Sequence, residues 1–229
     1  MIPLRDTIPS QRFPAVNYAI IGLCAFAFYL ELTAPDTDAF VNAHALTPAT
    51  FVRLATHRGW SLALLQPFVT SMFLHGGFMH IAGNMLFLWI FGDNVEDRLG
   101  HVGYAIFYLV GGLVAGATHV LSNPQSLVPT VGASGAIAAV MGTYMVLYPA
   151  SRIETMVIVF VFARIVAVPA LVWLGLWFAF QVLSANAGAH GPDQGGIAFF
   201  AHIGGFAFGV LVGLLLKLRM LPQNGRSYG

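Results

Sequence analysis

Residues 198–218 read AFFAHIGGFAFGVLVGLLLKL, an apolar run in which Lys217 is the one charged residue. About 20 such residues in helical form cross the hydrocarbon core of a bilayer, so the run predicts a membrane-spanning helix. Five more runs of this kind precede it, at about 15–33, 69–92, 102–121, 133–149 and 167–185. The pattern therefore predicts an all-α polytopic membrane protein, with six transmembrane helices in a single domain over residues 1–229.

The composition supports the same class. Hydrophobic residues make up 58% of the chain and charged residues only 8%, whereas a soluble domain carries about 25% charged residues. The net charge of +1 does not favour a nucleic-acid partner. Cys24 is the only cysteine, and no cysteine or carboxylate cluster completes a metal site, so we expect neither a metal nor another cofactor.

Basic residues are distributed unevenly between the two sides of such a six-span arrangement. Of the ten lysines and arginines, Arg53 and Arg58 fall on one side, and the other eight fall on the side that holds both termini. Because basic loops stay in the cytoplasm, we expect cytoplasmic termini, in a plasma membrane of bacterial type. The residues before the first run include Pro3 and Arg5 and do not resemble a cleavable signal peptide.

Two connections between the runs carry apolar side chains. The first, about residues 34–68, is long for a membrane loop and includes Phe40 and Trp60. We expect it to lie in the interface as short amphipathic helices. Residues 153–165 are apolar but broken by Arg164, and we expect a re-entrant or interfacial segment on the cytoplasmic side. No part of the chain is expected to form a strand.

Polar residues within the spans are unusual, because they are costly in lipid and tend to be functional. Ser134 begins the fourth span and His202 begins the sixth, while His80 and Asn84 lie in the outer half of the second. The three spans run in the same direction, so we expect these four side chains in one layer near the outer surface. Separate accidents would rarely produce that arrangement.

Small residues recur at every fourth position on two of these spans. The two stripes are Gly205, Gly209 and Gly213 on the sixth span and Ser134, Ala138 and Gly142 on the fourth. Such stripes let helix backbones approach closely in lipid. Gly205 and Gly209 are therefore expected to pack the two helices together and bring His202 within about 2.6–3.2 Å of the Ser134 hydroxyl.

A serine and a histidine at this distance can hydrolyse a peptide bond. The imidazole of His202 takes the proton of Ser134 during attack and returns it to the leaving amine. Asn84, a ring N–H of His80 and the backbone N–H of Ser134 are the candidate donors to the oxyanion. Since we expect no Asp or Glu at this depth, the sequence predicts a dyad, in which another polar group or tight packing orients His202.

These motifs resemble those of the rhomboid intramembrane proteases. The matching stretches are Gly132-Ala133-Ser134-Gly135 for the nucleophile, Ala201-His202-x-x-Gly205-x-x-x-Gly209 for the histidine, His75-x-x-x-x-His80-x-x-x-Asn84 for the second helix and Glu96-x-Arg98 for the loop after it. Trp173, Trp177 and Gln181 resemble residues beside that family's lateral gate. The resemblance covers about residues 65–215, and these motifs in this order are specific although each alone is weak.

The resemblance implies a rhomboid-like bundle and an intramembrane serine endopeptidase. Its substrates would be transmembrane helices of other proteins, taken from the lipid bilayer between the second and fifth spans. His80 and Asn84 would serve the oxyanion hole, while Trp173 and Trp177 would be gate residues. No metal, cofactor or nucleic acid is implied.

The chain departs from the family pattern at two places. Many rhomboids carry a Trp-Arg pair in the first loop, whereas this chain has Arg58-Gly59-Trp60. Some members have an aromatic residue four positions after the serine, which packs on the histidine ring. Ala138 stands at that position here, so a different side chain must orient His202.

Other functions remain open at this level. A catalytically silent rhomboid-like module would bind membrane proteins without cutting them, and loss of Ser134 or His202 would mark it. A metal- or haem-binding membrane protein is suggested by the eight histidines, and a channel or transporter by the spans alone, although we find no inverted repeat. His80 and Asn84 could also merely tie helices together, while His75 is expected to be structural.

Overall fold

The computed structural model describes residues 2–59, 61–159, 162–186 and 198–220, and Trp60 lies outside them. The helices are α1 (Ala15–Thr33), α2 (Thr37–His44), α3 (Pro48–Arg58), α4 (Gln66–Thr70), α5 (Phe78–Ser122), α6 (Ser134–Leu147), α7 (Ala170–Asn186) and α8 (Phe199–Met220), with a 3-10 turn at Leu62–Leu65. The strands are β1 (Ile2–Asp6), β2 (Arg152–Val159) and β3 (Phe162–Pro169).

Within the described residues, three helices are long and apolar enough to cross a membrane, namely α1, α5 and α8. The shorter apolar helices α6 and α7 match the predicted fourth and fifth spans in position. This mostly helical, apolar architecture identifies a membrane protein. The first connection forms α2, α3, the 3-10 turn and α4, so the short helices predicted there are confirmed.

Helix α5 covers two of the predicted runs. Its 45 residues are interrupted at Gly100, whose φ of 70° and ψ of 164° are not helical. Glycine adopts a positive φ without steric cost, so the chain turns there while both arms stay helical. The predicted start at residue 69 is wrong, because α5 begins at Phe78. Gly77, with a φ of 148°, separates the helix from α4.

The expectation that no strand forms is also wrong. β1, β2 and β3 form an antiparallel sheet in that order, so residues 153–165 belong to a hairpin instead of a re-entrant segment. In β2, Ile153 and Thr155 are fully buried, while Glu154 faces outward and pairs with Arg5 of β1 at 2.7 Å. Alternation of buried β-branched residues with an outward-facing polar residue is typical of a strand. In the sequence this pattern was obscured by the apolar run that follows it.

Helix α6 lies at the centre of the bundle. Every residue from Gly135 to Tyr144 is buried. Helix α8 packs directly on it, and the Thr143 hydroxyl donates to the Gly209 carbonyl at 2.8 Å. Since β2 follows α6 and β3 precedes α7, the sheet lies at the C-terminal end of α6, opposite Ser134.

Two residues near the end of the first arm of α5 bond to other segments of the chain. The Glu96 carboxylate accepts hydrogen bonds from the backbone N–H groups of Val16 and Asn17, at 3.0 and 2.7 Å. The Arg98 guanidinium donates to the Tyr148 hydroxyl at 3.1 Å. Glu96 and Arg98 thus bond other groups and not each other, and both lie within α5, not in a loop after the second span as the resemblance implied.

Candidate active site

Ser134 is the first residue of α6. The preceding loop is held by Gly132, whose N–H donates to the Ser71 carbonyl at 2.9 Å. Gly132 has a φ of 125°, a conformation that side-chain-bearing residues rarely adopt. This turn fixes the direction from which the chain enters α6, and with it the position of the Ser134 hydroxyl.

His202 lies in the first turn of α8 and is almost fully buried. Its Nε2 is 2.7 Å from the Ser134 Oγ, within the hydrogen-bonding range of a serine and its general base. The glycines of α8 allow this approach. An added Cβ would fall 2.1 Å from the Gly135 carbonyl oxygen at Gly205, and 1.9 Å from the Ala139 carbonyl oxygen at Gly209.

The other nitrogen of His202 is also occupied. Its Nδ1 is 2.8 Å from the Oε1 of Gln181, a buried side chain of α7. The indole of Trp177 lies beside the imidazole, with ring centroids 5.7 Å apart and planes inclined by 33°. A polar group and an aromatic ring from α7 thus contact His202, where Ala138 of α6 offers only a methyl group.

Ser134 and His202 open into a cavity of about 750 Å³. His80, Asn84 and Trp177 also line it, and none of the described residues that form its wall is acidic, lysine or arginine. A largely apolar cavity with a few convergent polar groups is typical of a binding or catalytic site.

His80 and Asn84 both approach the loop that precedes Ser134. A Cβ built on Gly132 would lie 2.7 Å from the His80 Nε2 and 3.6 Å from the Asn84 Nδ2. The Gly76 N–H donates to the His80 Nδ1 at 3.4 Å, so in the neutral ring Nε2 carries the hydrogen and is the available donor. The Asn84 Nδ2 is buried and has no hydrogen-bond partner among the described residues.

Glu31 contradicts the expectation that no carboxylate lies at this depth. It is buried near the end of α1 and accepts a hydrogen bond from the His75 N–H at 2.9 Å. The His75 ring lies 5.2 Å from that of His80, in keeping with its predicted structural role. Glu31 is a polar residue inside a predicted span, so the rule that found Ser134 could have found it.

The two gate candidates differ in their surroundings. Trp177 faces the cavity, whereas Trp173 is buried between helices, with its ring centroid 5.6 Å from that of Phe87 and 6.2 Å from that of Phe91 on α5. Trp173 therefore closes the seam between α5 and α7, and Trp177 lies one turn further along α7, beside His202.

No group of three or more His, Cys, Asp or Glu residues able to hold a metal ion occurs in the described part of the chain. Ser134, His202, His80 and Asn84 come from three different helices and meet at one cavity. The chemistry open to this arrangement is nucleophilic attack by a hydroxyl with a neutral imidazole as base.

Comparison with known proteins identifies relatives over most of the chain. A family model described as Rhomboid domain matches residues 60–219. Rhomboid protein 1, mitochondrial, of Saccharomyces cerevisiae is 33% identical over 164 residues, which cover 69% of this chain and 44% of that protein. RHOMBOID-like protein 4 of Arabidopsis thaliana is 30% identical over 171 residues, covering 73% and 36%.

A human relative, presenilin-associated rhomboid-like protein, mitochondrial, is 27% identical over 170 residues, covering 70% of this chain and 40% of that protein. The chain thus spans less than half the length of each of these three relatives.

Proposed function

Because this chain belongs to the rhomboid family, we propose that it is an intramembrane serine endopeptidase, which hydrolyses peptide bonds in or next to transmembrane helices of other proteins. The observation that carries the proposal is the 2.7 Å contact between the Ser134 Oγ and the His202 Nε2, inside an apolar cavity of a membrane protein. A serine that served only to pack two helices together would not need a histidine from another helix beside its hydroxyl.

In the proposed reaction, the Ser134 Oγ attacks the scissile carbonyl carbon while His202 Nε2 takes the hydroxyl proton. The tetrahedral intermediate collapses when the imidazolium returns that proton to the leaving amine, which leaves an acyl ester on Ser134. Water then attacks the ester and gives a proton to His202. The ester C–Oγ bond breaks as the imidazolium returns that proton to the Ser134 Oγ, which releases the carboxylate product and restores the free serine.

The proposed oxyanion donors are the Asn84 amide, the His80 Nε2–H and the backbone N–H of Ser134. Support comes from their placement around Gly132 and from the unpartnered Asn84 Nδ2. A preorganised donor acts on the charge that develops during attack without reorganising. The backbone N–H of Ser134 is among the first of α6 and so has no partner within its own helix.

The proposed substrate approaches laterally between α5 and α7, past Trp173 and Trp177. A carbonyl inside a helix is hydrogen-bonded and shielded, so the substrate helix must unwind locally before Ser134 can attack. We therefore expect cleavage at helices with local weakness and a small residue before the cut, as the family resemblance implies. Water would reach the site from the membrane face nearest the start of α6.

The proposed topology has six crossings with both termini in the cytoplasm. β1 pairs with β2, so residues 2–6 and 152–159 share one side of the membrane. Leu46 pairs with Thr130, which supports a topology with the first and third connections on the same side. Both pairings agree with crossings by α1, by each arm of α5 and by α6.

Several relatives are named as mitochondrial, which gives no support to a bacterial-type plasma membrane.

The decisive experiment compares purified wild type with Ser134→Ala on a single-pass model substrate in liposomes. The wild type should cleave it and Ser134→Ala should not, and equal cleavage by both would overturn the proposal. Retained activity in His202→Ala would overturn the dyad alone. A wild type that binds the substrate without cutting it would point to the catalytically silent binding module.

A further inference from the structure

Gln181 contributes a buried polar group to the candidate site. Its side chain comes from α7, is 4% exposed and meets the His202 Nδ1 at 2.8 Å through Oε1. A polar side chain in the middle of an apolar helix is costly in a membrane unless it is hydrogen-bonded. Gln181 meets this requirement through its hydrogen bond to His202.

With the Oε1 end of the Gln181 amide facing Nδ1, the geometry favours one tautomer of His202. An amide oxygen accepts and cannot donate, so Nδ1 must carry the hydrogen that it shares with Gln181. In the neutral ring Nε2 is then unprotonated, and it is Nε2 that faces the Ser134 hydroxyl at 2.7 Å. The Gln181 amide therefore selects the form of imidazole that can accept the serine proton.

Other acceptors for Nδ1 are lacking among the described residues around His202. The cavity wall contains no carboxylate, and Glu31 is engaged by the His75 N–H. The titratable side chains that act electrostatically on the imidazole are His80 and His119, both on α5, and α7 carries no titratable side chain. Gln181 thus stands where the aspartate of a catalytic triad would stand.

Building on the proposed protease function, we propose that Gln181 is a positioning residue, which holds His202 as the Nδ1–H tautomer and directs Nε2 at Ser134. The neutral amide does this without placing a charge inside the membrane. An asparagine serves the same purpose in cysteine proteases with a Cys-His-Asn arrangement. Gln181 acts through His202 and does not touch the substrate.

The test compares Gln181→Leu and Gln181→Glu with wild type on the single-pass substrate in liposomes, with kcat and KM measured separately from pH 5 to 9. Gln181→Leu replaces the hydrogen-bond acceptor with an apolar side chain of similar size. We expect kcat to fall about tenfold or more, because a general base contributes roughly 10²–10⁴-fold and His202 would lose part of that contribution. KM should be unchanged. Gln66→Leu, the same change at an exposed position, should leave both constants unaltered.

Gln181→Glu keeps the acceptor and adds a negative charge that stabilises the imidazolium. It should retain most of the activity, and the acid limb of its pH–rate profile should move to higher pH. A glutamine whose side chain did not contact His202 would not produce that movement. Wild-type kcat in Gln181→Leu, or an acid limb in Gln181→Glu that coincides with wild type, would overturn the inference. If Gln181→Leu does not fold, the pH profile of Gln181→Glu alone decides.

Failure of this inference is distinguishable from failure of the proposed function. Cleavage that disappears in Ser134→Ala but persists unchanged in Gln181→Leu would leave the protease proposal standing and remove only the role of Gln181. Cleavage that persists in Ser134→Ala would remove both.

Discussion

A structural role and a catalytic role for Asn84 predict different effects of mutation on stability and activity. Its Nδ2 is buried without a hydrogen-bond partner among the described residues, and an unsatisfied buried donor costs about 1–3 kcal/mol of stability. The fold therefore gains nothing from that N–H group. The proposed role as an oxyanion donor would account for its position next to Gly132 and Ser134.

We predict that Asn84→Ala lowers kcat by about 10²–10³-fold, as expected for the loss of one oxyanion-hole donor, without lowering thermal stability. Cleavage assays and thermal denaturation in detergent measure the two effects. Asn17→Ala is the control, because Asn17 is also buried but donates to the Leu88 carbonyl and accepts from the Tyr104 hydroxyl, so this variant should lose stability. An Asn84→Ala protein that unfolds early would show that Asn84 ties helices together.

The dyad candidates were predictable from the sequence for a physical reason. Ser134 and His202 are polar residues in runs that lipid would otherwise cover, and the glycine spacing after His202 indicated a close helix contact. The hydrogen-bond partner of the second His202 nitrogen was left open, because the spacing of residues along the sequence does not determine side-chain rotamers or tautomers. Gln181 is visible as a polar residue in the fifth span, but only the structure shows that its Oε1 reaches Nδ1.

At the scale of the elements, the contact between α6 and α8 depends on glycine. Gly209 lies against the α6 backbone, where an added Cβ would fall 1.9 Å from the Ala139 carbonyl oxygen. Neither backbone can move aside without separating the two helices. Because α6 carries Ser134 and α8 carries His202, such a separation would also part these two side chains.

Gly209→Ala should therefore destabilise the protein by about 1–3 kcal/mol, the usual cost of overpacking, and reduce cleavage. Thermal denaturation in detergent, with the substrate assay beside it, tests this. Gly175→Ala is the matched control, since among the described residues no atom beyond the adjoining backbone of α7 lies within 4 Å of a Cβ at Gly175. Equal stability of the two variants would contradict the close contact.

The seam between α5 and α7 is closed by the ring contact of Trp173 with Phe87. Trp173→Ala should loosen this seam and speed cleavage of a membrane-embedded substrate severalfold, while cleavage of a short water-soluble peptide should change little. Trp89→Ala, which removes a mostly exposed tryptophan of α5, should affect neither rate. A parallel change in both rates for Trp173→Ala would argue against a lateral gate.

The elements themselves were predicted unevenly. Long apolar runs identified α1, α6, α7 and α8 to within a few residues, because hydrophobic length is what a bilayer selects. Local breaks were harder to place. Gly77 and Gly100 change the course of the chain through a positive φ, and the strand alternation around Ile153 was obscured by its apolar surroundings.

At the scale of the whole molecule, the sheet end carries a titratable group outside the membrane helices. Asp6 of β1 accepts a hydrogen bond from the Tyr144 hydroxyl, which in turn contacts the Ser151 hydroxyl at 3.0 Å. Burial raises the pKa of Asp6 to about 6, and the nearby charge of Asp93 adds to the rise in pKa, whereas the Tyr144 hydrogen bond opposes it.

The sign of the resulting pH dependence follows from linkage. The pKa of Asp6 is higher in the folded protein than its ordinary value of about 3.9, so the folded state binds the proton more tightly. The stability that this group contributes is fully present below about pH 4 and is lost as the pH rises through 6. Asp6→Asn should therefore gain in melting temperature relative to wild type between pH 4 and 7.

Thermal melts of both proteins across this pH interval provide the test, with Asp38→Asn on the exposed face of α2 as a control for the loss of one carboxylate. A melting-temperature difference between Asp6→Asn and wild type that stays constant from pH 4 to 7 would show that Asp6 titrates equally in the folded and unfolded chains.

The pairing of β1 with β2 also bears on how the protein is made. Arg5 and Glu154 are 149 positions apart, so at a synthesis rate of about 5–20 residues per second β1 waits roughly 7–30 s for its partner. During that time β1 is an unpaired strand, free to pair with other nascent chains, while the elements from α1 to α6 are being synthesised. A ribosome stalled before residue 152 would hold a chain in which β1 has no β2 to pair with.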